Sequence, residues 1–276
     1  MGKLYLVATP IGNLKDISYR AIEVLNSVDL IAAEDTRRTL KLLNHYEINK
    51  PLISYYRHNE DVKSKILIDK IKEGMNIALV SDAGTPVISD PGEEVVRDCI
   101  KEGIEVVPIP GACALITALI SSGLNTKEFS FYGFLSVNKK YKREKLEEIG
   151  KDTKTCIIYE APHKMIQTLK DILDVIGDRN IVVARELTKV HEEVLRGKVS
   201  EIIEKYTNPI GEHVILIEGN SISEKEEEIN ELNKLSLEDH YSYYEKQGMS
   251  KNDIIKRIAK DKNVSKNDIY QQFLQK

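Results

Sequence analysis

Between residues 3 and 122 the chain alternates short apolar runs with stretches of helical periodicity, and this alternation restricts the fold more than any other feature. Strand-like runs at 3–8, 30–33, 51–54, 77–80 and 105–107 are separated by helical patterns at 18–27, 36–46, 61–73, 93–102 and 113–122. Within 61–73, for example, Ile66, Leu67 and Ile71 share one face. A repeated β-α pattern folds as a parallel sheet covered by helices. The loops that follow its strands then meet at one edge, which is where open α/β sheets bind ligands.

The longest of these loops is 81–92, Ser-Asp-Ala-Gly-Thr-Pro-Val-Ile-Ser-Asp-Pro-Gly. Gly84 allows close backbone approach, Pro86 stiffens the turn, and Asp82 sets a carboxylate just past a strand, in reach of a sugar hydroxyl. Asx turns at Asp82 and Asp90 are the simpler account, but the loop is generous for a mere connection. The loop at 9–14 holds Pro10, Gly12 and Asn13; its single glycine argues against the usual dinucleotide fingerprint. After the second strand come Glu34, Asp35, Thr36, Arg37 and Arg38, where Asp35 or Thr36 could simply cap the next helix. After the fifth, Gly111 and Ala112 precede a helix of small and apolar residues, leaving free N–H groups at its start. A tight strand-to-helix turn explains that segment equally well.

The second half reads as strands at 129–134, 155–159, 181–184, 194–197 and 213–218 with a helix at 162–176. More than one of its connections is short, so a mixed sheet is expected. Two clusters stand out, Tyr159 to Lys164 and Ala184 to Lys189. Pro162 suits a first helical position, placing Glu160 and His163 around a helix start, although His163 fits a solvated first turn as well. Arg185 and Glu186 could form a local ion pair. Lys139, Lys140, Lys142 and Arg143 belong to a basic segment with Tyr141 among them, suited to phosphates or to a solvated helix start. From 223 onward the composition shifts: 223–234 is rich in glutamate, and Ser-Lys-Asn-Asp-Ile at 250–254 recurs at 265–269. Each serine is an N-cap with an aspartate three residues on, predicting helices at 251–261 and 266–274. Such a helical pair suits a nucleic-acid module or a packing appendage.

With 276 residues, 41% hydrophobic and 30% charged, the chain can build real cores without staples. Cys99, Cys113 and Cys156 are scattered, which indicates neither a disulfide framework nor a metal site and fits a reducing cytoplasm. No apolar run approaches bilayer length and no signal peptide is expected. A net charge of −4 confines any RNA-binding surface to a local basic patch.

Residues 8–14, 34–37, 81–86 and 110–112 together resemble the tetrapyrrole methylase superfamily, and more narrowly its branch that 2′-O-methylates a cytidine of bacterial 16S ribosomal RNA. The resemblance runs in order from residue 1 to about residue 220. It implies an α/β enzyme of two domains, one with a parallel and one with a mixed sheet, followed by a small helical C-terminal module. The expected division is 1–118, 119–222 and 223–276. It further implies S-adenosylmethionine (AdoMet) in the cleft, no metal, a homodimer, and 16S rRNA of the small ribosomal subunit as partner. On that analogy Pro10, Asp82, Gly84, Thr85, Pro86, Gly111, Ala112, Cys113, Ala114, Tyr159 and Ala184 would surround the cofactor. Asn13, Arg37, Arg185 and Lys189 would join the basic segment on the substrate side. Glu34, Asp35, Glu160, His163 and Glu186 are the expected bases for a ribose hydroxyl. A small-molecule methylase of the corrinoid type and a non-enzymatic nucleic-acid-binding protein on the same scaffold are the alternatives.

Overall fold

The computed structural model describes residues 1–206, 209–221, 229 and 231–274, Leu274 in its backbone only. Five parallel strands, β1 (Leu4–Val7), β2 (Leu30–Ala33), β3 (Leu52–Ser54), β4 (Ile77–Val80) and β5 (Val106–Ile109), form a sheet in the order β3-β2-β4-β1-β5. The pleat sends alternate residues to opposite faces. Leu4, Leu30, Ala32, Ile77 and Leu79 pack with Leu67 and Ile71 of α3 (Glu60–Lys72) and Val95 and Cys99 of α4 (Glu93–Lys101). Val7, Ile31, Ala33, Ala78 and Val80 pack on the other face with α1 (Tyr19–Ser27) and α2 (Thr36–His45). Burial on both faces explains why these strands are continuously apolar rather than alternating.

The second sheet is mixed, in the order β6-β7-β10-β8-β9, from β6 (Phe129–Phe134), β7 (Thr155–Glu160), β8 (Asn180–Arg185), β9 (Glu193–Lys198) and β10 (His213–Ile217). Only β6 and β7 are parallel; β10 runs against both β7 and β8. One face is covered by α6 (Lys139–Lys151), α7 (Met165–Val175) and α8 (Val199–Lys205). The helix α8 has no counterpart in the sequence reading, which left 198–212 without an element.

The opposite face is closed by α5 (Ala114–Ser122), a helix that follows the last strand of the first sheet. Its Leu115, Ala118 and Leu119 pack with Ile157, Val182, Ala184, Val214 and Leu216. Both sheets accordingly belong to one compact unit, residues 1–150 with 154–218. The division expected at 118/119 falls inside α5.

Residues 151–153 and 219–276 form a second unit. It contains α9 (Leu237–Lys246), α10 (Lys251–Asp261) and α11 (Lys266–Leu274) around Tyr244, Ile254, Ile255, Ile258 and Ile269. The expected caps are present. Ser250 Oγ accepts from Asp253 N at 3.4 Å and donates to Asp253 Oδ2 at 2.6 Å, and Ser265 Oγ accepts from Asp268 N at 3.2 Å. Ser236 and Asp239 repeat the device at α9. The glutamate-rich 223–234 falls largely outside the described residues.

Candidate functional site

Because the first sheet is parallel, the loops after β1, β2 and β4 share its carboxyl edge, as the alternation predicts. They are bonded to one another. Thr9 N donates to Gly84 O at 2.9 Å and Gly84 N to Thr9 O at 3.0 Å; Thr85 Oγ1 donates to Ala112 O at 3.1 Å. Gly84 sits at φ +84°, and a Cβ there would lie 3.1 Å from Ile11 Cγ2. The backbone is brought close to its neighbours by the lack of a side chain. Val87 and Ser89, with φ of 76° and 65°, hold a conformation that L side chains rarely adopt.

The loop 81–92, the start of α5 and the ends of β6, β7 and β10 enclose a cavity of about 290 Å³. Its walls are largely apolar, with Ile11, Ile88, Phe134, Leu187 and Val214 among them. Tyr159 belongs to its wall: the hydroxyl accepts from Leu115 N at 3.2 Å, satisfying one of the open N–H groups of α5, and the ring meets Phe131 and Phe134 edge-on. Burial raises the Tyr159 pKa, so the hydroxyl stays protonated.

Of the cofactor residues expected from sequence, Gly84, Thr85, Cys113, Ala114 and Tyr159 line this cavity. Asp82 and Pro10 instead line an adjoining polar cavity of about 340 Å³, together with Gly12, Arg38, Lys41 and Lys189. Asp82 is turned away by its bonds: Oδ1 accepts from Asp35 N at 3.0 Å and Oδ2 pairs with Arg38 at 3.1 Å. Gly111 and Ala112 lie outside the lining; a Cβ on the exposed Gly111 would meet Ala8 Cβ at 2.8 Å, and Ala112 O holds Thr85. Pro86 is buried in the loop outside the lining, and Ala184 is wholly buried in the core under α5.

Among the expected bases, Glu160 alone is a lining residue of the apolar cavity, at the end of β7 with its carboxylate held toward Thr168 of α7. It is 5% exposed; Oε2 accepts from Thr168 Oγ1 at 2.5 Å and Oε1 from Ala161 N at 2.8 Å. Thr168 Oγ1 accepts from Lys142 Nζ at 2.8 Å, and Lys142 pairs with Asp171 at 2.7 Å. His163 is exposed in a 3₁₀ turn outside the lining. Asp35 caps α2, accepting from Arg37 N at 2.9 Å, and forms a two-point pair with the Arg37 guanidinium at 3.0 and 2.8 Å. These bonds from Arg37 hold the Asp35 pKa down to about 2. Glu34 is raised by burial and by Asp82. Glu186 accepts from Lys189 Nζ at 2.9 Å and Glu212 N at 3.2 Å; burial works against ionisation there, but these donors outweigh it and lower the pKa.

On the expected substrate side, Asn13 N donates to Thr188 Oγ1 at 3.0 Å, joining the first loop to 187–189. Gly12 permits that contact, since a Cβ would lie 2.4 Å from Lys189 Cγ. Arg185 pairs with Glu193 at 2.7 Å and lies over the Tyr206 ring. Lys139 and Lys140 are exposed, whereas Lys142 is engaged as above and Arg143 pairs with Glu147 and Asp174 at 3.2 and 3.0 Å.

Sequence reasoning missed His213, Glu212, Val214 and Phe134 in the cavity wall and did not advance Asp90 beyond an Asx turn. His213 pairs with both Glu160 and Arg185 in register, so antiparallel β10 delivers its first residue where β7 and β8 deliver their last. Its Nε2 bonds the Tyr206 hydroxyl, and burial followed by the Arg185 charge pulls its pKa down to about 4, leaving a neutral ring. Asp90 is pushed up to about 7 by burial and then by Glu34, with Ser81 opposing.

No group of three or more potential metal ligands occurs among the described residues, and no helix is long and apolar enough to cross a membrane. The mostly apolar cavity, with Gly84 in its wall and a helix start beside it, fits a compact organic cofactor. Its 290 Å³ is near the low end for such sites.

Comparison with known proteins gives the family. The chain is 48% identical over 276 residues to "Ribosomal RNA small subunit methyltransferase I" of Bacillus subtilis (strain 168), covering 99% of this chain and 94% of that one. It is 48% identical over 221 residues to the protein of the same name from Thermotoga maritima, covering 79% of this chain and 99% of that one. Among solved structures, uroporphyrin-III C-methyl transferase from Thermus thermophilus, complexed with S-adenyl homocysteine, aligns with a TM-score of 0.59 at 16% identity, covering 79% of this chain and 97% of that one. Residues 3–203 match the family described as Tetrapyrrole (Corrin/Porphyrin) Methylases, and the chain belongs to that family.

Proposed function

We propose that the chain is an AdoMet-dependent methyltransferase of 16S ribosomal RNA in the small subunit, acting at the ribose 2′-hydroxyl of a cytidine. What carries the reading is near-full-length identity to relatives named for methylation of small-subunit ribosomal RNA. The small-molecule methylase that shares the fold is only 16% identical. A binding protein without activity would have little use for a cofactor-sized cavity built where loops of the first sheet meet strand ends of the second.

In this reading Gly84, Thr85, Cys113, Ala114 and Tyr159 hold the cofactor, and the adjoining polar cavity with Arg38, Lys41 and Lys189 takes the ribose-phosphate side of the substrate. When bound, AdoMet supplies a methyl group on a positively charged sulfur, already activated for in-line transfer. The chain's task is orientation, which can supply about 7–11 kcal/mol, and acceptance of the hydroxyl proton. We assign that proton to Glu160, held by Thr168 and Ala161 N. Removing a positioned base lowers turnover by about 10²–10⁴-fold. Glu160→Gln should therefore lose turnover on RNA while keeping AdoMet affinity, read by single-turnover assay and calorimetry. Exposed Lys139 and Lys140 and the tail helices serve the RNA backbone, and the protein works as a homodimer, which light scattering checks.

Incubating the protein with labelled AdoMet and small subunits lacking the modification, then mapping the label, tests the whole. Label on a 16S cytidine ribose is expected. Label on a base or on protein, or none, would overturn the assignment.

A further inference from the structure

A cofactor bearing a sulfonium and an ammonium brings net positive charge into a largely apolar cavity, and burying such charge without an opposing one is costly. Three acidic residues belong to the lining: Asp90, Glu160 and Glu212. Glu160 has both oxygens bonded within the protein, and Glu212 pairs with Lys189 at 3.4 Å. Among the described residues Asp90 has no ion pair. It stands half-buried in the cavity wall next to the twisted Val87–Ser89 backbone.

We propose that Asp90 is the counter-ion for the positive charge of the bound cofactor, so that binding ionises it. The inference rests on AdoMet being the cofactor. The groups that face Asp90 all bear on its charge: Glu34 and Asp82 from the ends of β2 and β4, Arg57 beyond β3, and Ser81 at the loop's start. Cys113, Tyr159, Glu160, Glu212 and neutral His213 line the same cavity. Burial and the neighbouring Glu34 keep Asp90 half-protonated near neutrality, at about 7. A cation lowers that value, so binding below neutral pH expels a proton and weakens as the pH falls. From a starting value near 7, AdoMet should bind about tenfold more weakly at pH 6 than at pH 8.

The test is calorimetry of AdoMet and of S-adenosylhomocysteine binding to the full chain at pH 6, 7 and 8. Paired buffers of different ionisation enthalpy count the protons released. Wild-type protein should release part of a proton at pH 6–7 with AdoMet. Asp90→Asn should abolish both the release and the pH dependence, while Asp90→Glu, which keeps a carboxylate, should restore them in part. Release with AdoMet alone assigns the contact to the sulfonium; release with both ligands assigns it to the ammonium, which the thioether product retains. Equal proton release and pH dependence in wild type and Asp90→Asn, with thermal unfolding showing both folded, would overturn the proposal and leave the AdoMet reading intact. Failure of wild-type protein to bind AdoMet at any pH would instead overturn that reading.

Discussion

Asp90 is half-buried beside Glu34 and Asp82, so ionising it in the folded chain is unfavourable. Its folded pKa lies above the unfolded value, so the folded state holds the proton more tightly. Its contribution to stability is greatest at acid pH and is lost as the pH rises through about 7. Asn at this position cannot ionise. Asp90→Asn should accordingly raise the thermal midpoint more at pH 8 than at pH 5, as cavity residues that strain the fold often do when neutralised. At Glu160 the hydrogen bonds decide instead, and neutralising it should destabilise the fold. A Gln there can accept from Ala161 N with its oxygen, but its amide then meets Thr168 Oγ1, which already accepts from Lys142. One donor is left without a partner, a cost of about 1–3 kcal/mol measurable by denaturant unfolding.

At the scale of elements, β-α alternation, serine caps and the long 81–92 loop are local patterns, and they were legible because local patterns determine them. The order β3-β2-β4-β1-β5 and the packing of α5 are not local. Without the strand order, nothing marks His213 as a neighbour of Glu160. Pleat direction is what sends Ala184 under α5 instead of into the cavity. Lys142 looked like its exposed neighbours because sequence does not show that Thr168 and Asp171 of α7 are in reach. The meeting of the first loop with 187–189 is equally long-range. Gly12→Val should disrupt it by overpacking, at about 1–3 kcal/mol, with weaker AdoMet binding because Ile11 is moved from the cavity wall.

On the scale of the whole chain, every cavity residue lies before 218, in the unit that includes the family match at 3–203. Ending the chain at Asn220 should leave AdoMet affinity unchanged while reducing RNA affinity. Each lost phosphate contact flattens the log–log salt dependence by about 0.7–0.9. Neutralising exposed Lys139 and Lys140 should flatten it further, whereas Lys142→Ala should mainly lower stability by releasing Thr168 and Asp171. The lodging of α5 against the second sheet also sets a timetable for folding. Leu115, Ala118 and Leu119 are made early, but Val214 and Leu216 are the last of their partners to be made, after Ile157, Val182 and Ala184. During synthesis that apolar stripe waits in water until most of the unit has emerged, and contacts closing so long a loop form slowly. A nascent chain halted before β10 would be sticky along α5, so premature termination would yield aggregates rather than a soluble first domain.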